Sequence, residues 1–470
     1  MALGVVATAG AAAKLPANFT AAARASLGAG LEHDTITGRI PHEVINVARL
    51  DHGAPFELRA VPANGGVGRG LERTSSICAR VHCVAAINGD FFGPTGDIPL
   101  GAVVSLGHLL RAPLRGHPQL MLSGAGAPSA GNLALAATVV TDDLQSLRAD
   151  GVNQPLAANG VVLYTPAIGS TTGTPRGTTE IVVTAKNPSG PLTLGRTTLV
   201  DVARTATHNG NASVPANGAI LAGRGPGVAR LNDLLRRVGS ESSPEALLRV
   251  ASSGDTTESV GGGPMLVHDG AVAVPDVRND FFLGHHPRTI VGWTSRGDIL
   301  LVTVDGRQPG RSDGMTLVDA ARFMIGMGAT EAMNLDGGGS TTFVAKGRVL
   351  NTPSDRAVRR GKHTVVLGDV TSTEPVVGYV ERPVATALVV VPRTPRAPSA
   401  SVAVLAAMPL RSASSASSPR GDIVASGPGS LPAIVVRVTS WRTRLLSAAL
   451  VLVALAFAAA AALRRVVQRR

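Results

Sequence analysis

Asn334-Leu335-Asp336-Gly337-Gly338-Gly339-Ser340-Thr341-Thr342-Phe343-Val344 is the stretch on which the reading of the whole chain turns. An apolar run with β character leads into an amide and an acid, three glycines follow, and a second β-prone run carries the chain away. Three successive glycines let a ligand approach the main chain, at an entropic cost that a hairpin turn does not need to meet. Two residues suffice for a hairpin, and here an acid and a hydroxyl flank the glycines. The expectation is a ligand-binding loop between two strands.

Working outward, the block from Arg288 to Val344 supplies the frame. Thr289 to Trp293 and Asp298 to Val304 read as paired strands joined at Ser295-Arg296-Gly297, and the second runs into Asp305-Gly306-Arg307. Thr316, with Asp319 three residues on, resembles a capping box. Leu317, Val318, Ala321, Met324 and Ile325 then recur at helical spacing, so an amphipathic helix is expected to pack on a sheet. Ala332 to Leu335 follows as a strand ending at Asp336. If the strands before and after the helix run parallel, Asp305 and Asp336 stand at the same edge, where ligands bind in open α/β sheets. A carboxylate pair is what acid/base chemistry at an anomeric carbon uses. Arg288 offers a planar fork suited to phosphate. His286, just before Pro287, reads as structural or solvated rather than as a site residue.

Val84 to Ile87 reads as a buried strand that delivers Asn88-Gly89-Asp90-Phe91-Phe92 at its exit. An amide, an acid and two aromatics there suit a sugar site, while the opposing reading makes Asn-Gly a turn and the two Phe core. Gly261-Gly262-Gly263-Pro264 is a second glycine triplet, feeding a strand that turns at Asp269-Gly270. Cys78 and Cys83 are the two cysteines. An i, i+5 pair lies too far apart within one helix, so a bridge requires the helix to end between them. Without a nearby His pair, a structural zinc site is not expected.

A chain of 470 residues with 44 % hydrophobic content can bury a full core, and the aromatic share of 3 % favours short strands and tight turns. The formal charge of +12 is unevenly placed. After residue 370 there are twelve arginines and only three acids, Glu374, Glu381 and Asp422, so the excess belongs to the tail. With few aromatics for base stacking, no nucleic-acid partner is expected. Leu445 to Leu463 is apolar except for Ser447 and spans roughly 28 Å as a helix, which predicts a transmembrane segment. The arginines beyond it, Arg464, Arg465, Arg469 and Arg470, predict a cytoplasmic C-terminus and an extracytoplasmic body. Pro392 to Pro432, rich in Pro, Ser and Ala, reads as a stalk. Met1 to Ala13 is small and apolar like the end of a signal peptide but has no basic start. The expected organisation is a leader over 1–30, a catalytic domain over 31–370, a disordered stalk over 371–440, and a membrane helix with basic tail over 441–470. The expected fold class is α+β, with strand-rich mixed sheets and a few packed helices.

Asn88-Gly89-Asp90-Phe91-Phe92, Gly261-Gly262-Gly263-Pro264, Arg288-Thr289, Val304-Asp305-Gly306-Arg307, Asn334 to Phe343 and Pro353-Ser354-Asp355, in this order, resemble the phosphodiester glycosidase family over approximately Ala79 to Asp369. The resemblance implies hydrolysis that removes a sugar from a sugar-1-phosphate diester on an extracytoplasmic glycan or wall polymer. It implies catalysis by Asp336 and Asp305, and a site lined by Asn88, Arg288, Thr289, Asn334, Gly337, Gly338, Gly339 and Ser340. Asp90 departs from one member of that family, which has glycine there, so no essential catalytic role is carried over to it. No cofactor is implied, although Asp305, Asp336 and Asn334 could together hold a divalent cation. Two other readings compete: a non-catalytic binder of phosphorylated glycans, and a metal-dependent phosphodiesterase. The glycine loop lacks the nucleotide-binding pattern Gly-x-x-x-x-Gly-Lys.

Overall fold

In the computed structural model, residues 15–393 are described, apart from 40, 94–96, 115, 187–192, 240–243, 253, 361–362 and 368–375. The expected stalk beyond residue 393 and the expected membrane helix at Leu445 to Leu463 lie outside the described residues. Among the described residues, no helix is long and apolar enough to cross a membrane.

The described chain is built mainly of strands, with four helices: α1 (Thr74–Arg80), α2 (Pro226–Gly239), α3 (Asp280–Leu283) and α4 (Leu317–Gly326). The site-bearing sheet has eight strands in the order Phe19–Gly28, Leu31–Gly38, Glu43–Leu50, Ile299–Val304, Arg288–Trp293, Glu331–Asn334, Met265–His268, Ala271–Val272. Arg288–Trp293 is antiparallel to both of its neighbours, so Ile299–Val304 and Glu331–Asn334 run parallel to each other on either side of it. The condition for bringing Asp305 and Asp336 to one edge is therefore met. Arg288, at the start of the middle strand, lies at that same edge.

Period-two alternation divides this sheet into two cores. Ile290, Leu300 and Val302 face one side and pack with Leu317, Ala320, Ala321, Phe323 and Met324 of α4. Val291, Leu301 and Met333 face the other and meet Ile87, Phe343, Leu388 and Val390. That second layer is a five-stranded sheet in the order Arg348–Val349, Phe343–Ala345, Ala85–Asn88, Thr386–Pro392, Phe56–Pro62. Thr316 caps α4 as its sequence predicts, accepting the Asp319 amide at 3.1 Å. A further eight-stranded sheet, with α2 against it, encloses its own core around Val161, Leu163, Ile181 and Leu221.

The sheets are wider than composition suggests at both ends. Phe19–Gly28, inside the expected leader, pairs with Leu31–Gly38. Thr386–Pro392, beyond the expected boundary at 370, pairs with both Phe56–Pro62 and Ala85–Asn88. Its run of β-branched residues is a buried strand, and the Pro/Ser/Ala-rich composition begins only after it. Cys78 and Cys83 form a disulfide, and α1 ends between them at Arg80 as a bridge demands.

Candidate active site

Asp336 sits just past the end of Glu331–Asn334. Its amide donates to Gly89 O at 3.1 Å, which brings the exits of two strands from different sheets together. Although Asp336 keeps some exposed surface, its carboxyl is packed round by protein, and burial pushes its pKa up to about 7. The Ser340 hydroxyl and the Arg382 guanidinium act against that rise, while the Asp90 carboxylate adds to it. Ser340 lies near the acid, yet its Oγ is buried without a hydrogen bond of good geometry.

The glycines are required by what surrounds them. Gly338 has φ +57°, the left-handed region that favours glycine. A Cβ on Gly339 would strike both the Asp355 carboxylate and the Arg382 guanidinium. Those two side chains form a bidentate pair at 2.8 and 2.7 Å that lies directly on the loop. The Gly338 and Ser340 amides are committed to Pro287 O and Gly337 O, so they are not donors for a ligand.

Asn88, expected as a substrate ligand, is fully buried and spends its amide on the protein. It donates to Asp336 O at 2.6 Å and accepts from Thr289 Oγ1 at 2.7 Å and the Thr342 amide at 3.1 Å. Asn88 and Thr289 thus tie the glycine loop to two sheets. Asn334 donates to Gly263 O at 3.0 Å and leaves its Oδ1 buried without a partner.

Arg288 is 2 % exposed and has no carboxylate within ion-pair distance among the described residues. It donates to the carbonyls of Met315, Phe281 and Gly284 at 2.8, 2.8 and 3.0 Å through Nε and Nη2. Its guanidinium also lies 5.4 Å from the Phe281 ring centre. Burial, reinforced by Arg307, lowers its pKa to about 10. Asp280 opposes that shift from beyond ion-pair distance, and a buried cation with no carboxylate in contact is a place where an anion gains more than it would from an exposed arginine. Phe281 in turn meets Phe91 edge to face at 6.1 Å, so an aromatic rim runs from Arg288 to the segment carrying Asp90.

Asp305 reaches the expected edge but keeps separate company. Its carboxylate accepts from Asn351 Nδ2 at 3.1 Å and the Thr352 amide, with Arg311 at 3.4 Å. Burial pushes it up to about 6. Asn351 also donates to Thr341 O, so Asp305 braces the far end of the glycine loop. The carboxylate that acts on Asp336 is Asp90, which the sequence reading left without a role. His286 is tied to the Asp280 carbonyl at 3.0 Å, in keeping with a structural reading. Arg382, Asp355, Asn351 and His117 carry no local sequence pattern that would place them here, except that Asp355 closes the Pro353-Ser354-Asp355 motif.

Residues 197–391 match a family model described as phosphodiester glycosidase. A stretch of 68 residues is 43 % identical to the N-acetylglucosamine-1-phosphodiester alpha-N-acetylglucosaminidase of Bos taurus, covering 14 % of this chain and 12 % of that protein. Another of 82 residues is 37 % identical to the SPbeta prophage-derived uncharacterized protein YomE of Bacillus subtilis (strain 168), covering 17 % of this chain and 13 % of that one. The matches thus span only a small fraction of these relatives' length. A hypothetical protein from Synechocystis shares the fold, with a TM-score of 0.51 and 19 % identity over 77 % of this chain and 62 % of the other. Asp336, Asp305, Arg288 and the glycine loop all fall inside the matched stretch. Over residues 197–391, therefore, the chain matches the phosphodiester glycosidase family, the family its motifs resemble.

Proposed function

We propose that the protein hydrolyses a sugar-1-phosphate diester and releases the sugar. The observation that carries this reading is Asp336: an acid inside the family-matched stretch, at a strand exit, whose carboxyl holds a proton near neutral pH. Such a group suits protonation of a leaving phosphate oxygen. Arg288, buried without a carboxylate, supplies the phosphate's counter-charge through Nη1, the one nitrogen not given to a protein carbonyl. The Phe91–Phe281 rim offers an apolar face to a sugar ring. Asp305 is the second acid of the site and keeps Asn351 and Arg311 in place beside the loop. N-acetylglucosamine is the first sugar to test, because a relative's name specifies it.

The full chain incubated with the methyl diester of N-acetylglucosamine 1-phosphate should release free sugar, and Asp336→Asn should lower kcat by about 100-fold or more. Undiminished turnover in that variant sinks the assignment. In oxygen-18 water the label should enter the sugar, reporting C–O cleavage. Label in the phosphate would instead mark a phosphodiesterase that breaks P–O.

The body is proposed to work outside the cytoplasm, tethered by Leu445 to Leu463. The support is the apolar run and the arginines that follow it. Protease added to intact cells should degrade the body, and protection in intact cells overturns the orientation.

A further inference from the structure

His117 lies outside both the family-matched stretch and the motifs that identify the site, yet the fold ties it to Asp90, the carboxylate that acts on Asp336. Its Nε2 is 3.0 Å from Asp90 Oδ1. The Asp90 side chain has no exposed surface and that of His117 is 16 % exposed, so the imidazole stands between a buried carboxylate and the open side. Asp90 is itself fixed: its other oxygen accepts the Gly101 amide, and its own amide donates to Thr386 Oγ1 at 2.9 Å. The backbone around the ring is equally tied. The His117 amide donates to Leu114 O, its carbonyl accepts from Gln119 Nε2 at 2.8 Å, and Pro118 O accepts from the Gly262 amide at 3.1 Å. Gly263 then donates to Asn334 O, two residues before Asp336. The segment bearing His117 is thus linked through Gly262 and Gly263 to the segment bearing Asp336, and Asp90 acts on both side chains.

A carboxylate that holds one ring nitrogen fixes the tautomer and leaves the other nitrogen as a base. Here Nε2 faces Asp90, and Nδ1 has no hydrogen-bond partner among the described residues.

We infer that His117, oriented by Asp90, is the base that takes a proton from the water attacking the anomeric carbon, an assignment that rests on the hydrolase reading above. In that step the water oxygen bonds to the anomeric carbon and one water proton passes to His117 Nδ1. The bond from that carbon to the phosphate oxygen breaks, its electron pair stays on the oxygen, and that oxygen takes the Asp336 proton. Solvent then returns a proton to Asp336 and removes one from His117, which restores both groups. Asp90 is a positioning residue, acting through the imidazole. The competing explanation is a structural ion pair that merely closes the 101–119 loop.

The charged groups around the dyad are Asp90, Asp336 beyond it, and Arg382 acting on Asp336. With the full chain and the methyl diester, His117→Gln should lower kcat by about 100-fold with little change in KM and remove the acid limb of the kcat/KM profile. Asp90→Asn should lower kcat less and displace that limb. In His117→Ala, added imidazole should restore turnover saturably. Wild-type kcat in His117→Gln overturns the assignment, as does loss without imidazole rescue in a His117→Ala protein that keeps its Tm. Absence of turnover in the wild-type chain sinks the hydrolase reading and the base role with it. Wild-type turnover together with an unaffected His117→Gln sinks the base role alone.

Discussion

Both carboxylate oxygens of Glu43 are buried without a hydrogen bond, and the residue is 2 % exposed. The Gly314 amide lies near enough to oppose the shift but makes no bond of full geometry. Burial, with Asp313 adding like charge, pushes the acid from 4.5 up to about 8. Folded protein therefore holds a proton that the unfolded chain has released above its ordinary pKa. The stability contributed by that proton is fully present below about pH 4.5 and is lost as pH rises through about 8. Asp336, Asp305 and Glu258, also raised by burial, push in the same direction. Glu43→Gln keeps a neutral group at every pH, so its Tm should fall less than that of wild type between about pH 6 and about pH 9. Equal falls in a thermal melt would show that Glu43 ionises normally. Composition cannot reveal such a group, because Glu43 opens a strand whose polar neighbours give it the look of a solvated position.

At the scale of elements, α4 is the clearest case of local legibility. Its apolar spacing, its Thr316 cap and the acid in its first turn can all be read from neighbours in sequence, and the helix starts where they place it. Thr316→Ala should cost about 1 kcal/mol, read as a shift of the denaturation midpoint without change in slope. A neutral result would mean that packing of Phe323 and Met324 alone fixes the helix start. The position of the glycine loop was legible for the same local reason, whereas the parallel relation of the two strands that flank Arg288–Trp293 stood in the sequence only as a condition, which the sheet meets. Asn88 was legible in place, though not in its partners. Its amide serves Asp336 O, Thr289 and Thr342, partners drawn from two other segments, and nothing in Asn88-Gly89-Asp90 announces them.

For the whole molecule, the strand Thr386–Pro392 matters most, since it sits between Ala85–Asn88 and Phe56–Pro62. Removing it would strip hydrogen bonds from both neighbours and take Leu388 and Val390 out of the core facing the site-bearing sheet. A chain ended after Arg393 should keep the cooperative melt of the described body, whereas one ended at residue 370 should lose it. Retention of a cooperative melt in the shorter chain, followed by circular dichroism, would contradict that role for the strand. The same truncation should detach Arg382 from Asp355 and so free the far side of the glycine loop.

The sequence alone determined the local pieces of this protein: alternating strands, the capped amphipathic helix, a glycine loop with Asp336 at its head, and a basic tail behind an apolar run. Each is written within a few consecutive residues, as spacing or as backbone chemistry. Tertiary structure decided who stands beside Asp336. Asp90, with the His117 that contacts it, lies more than two hundred residues away in sequence, and Arg382 lies past the end of the motif-bearing stretch. Single polar residues have no period and no motif of their own. Their roles follow only when sheet pairing brings distant segments within hydrogen-bond reach and excludes water from the carboxylates between them.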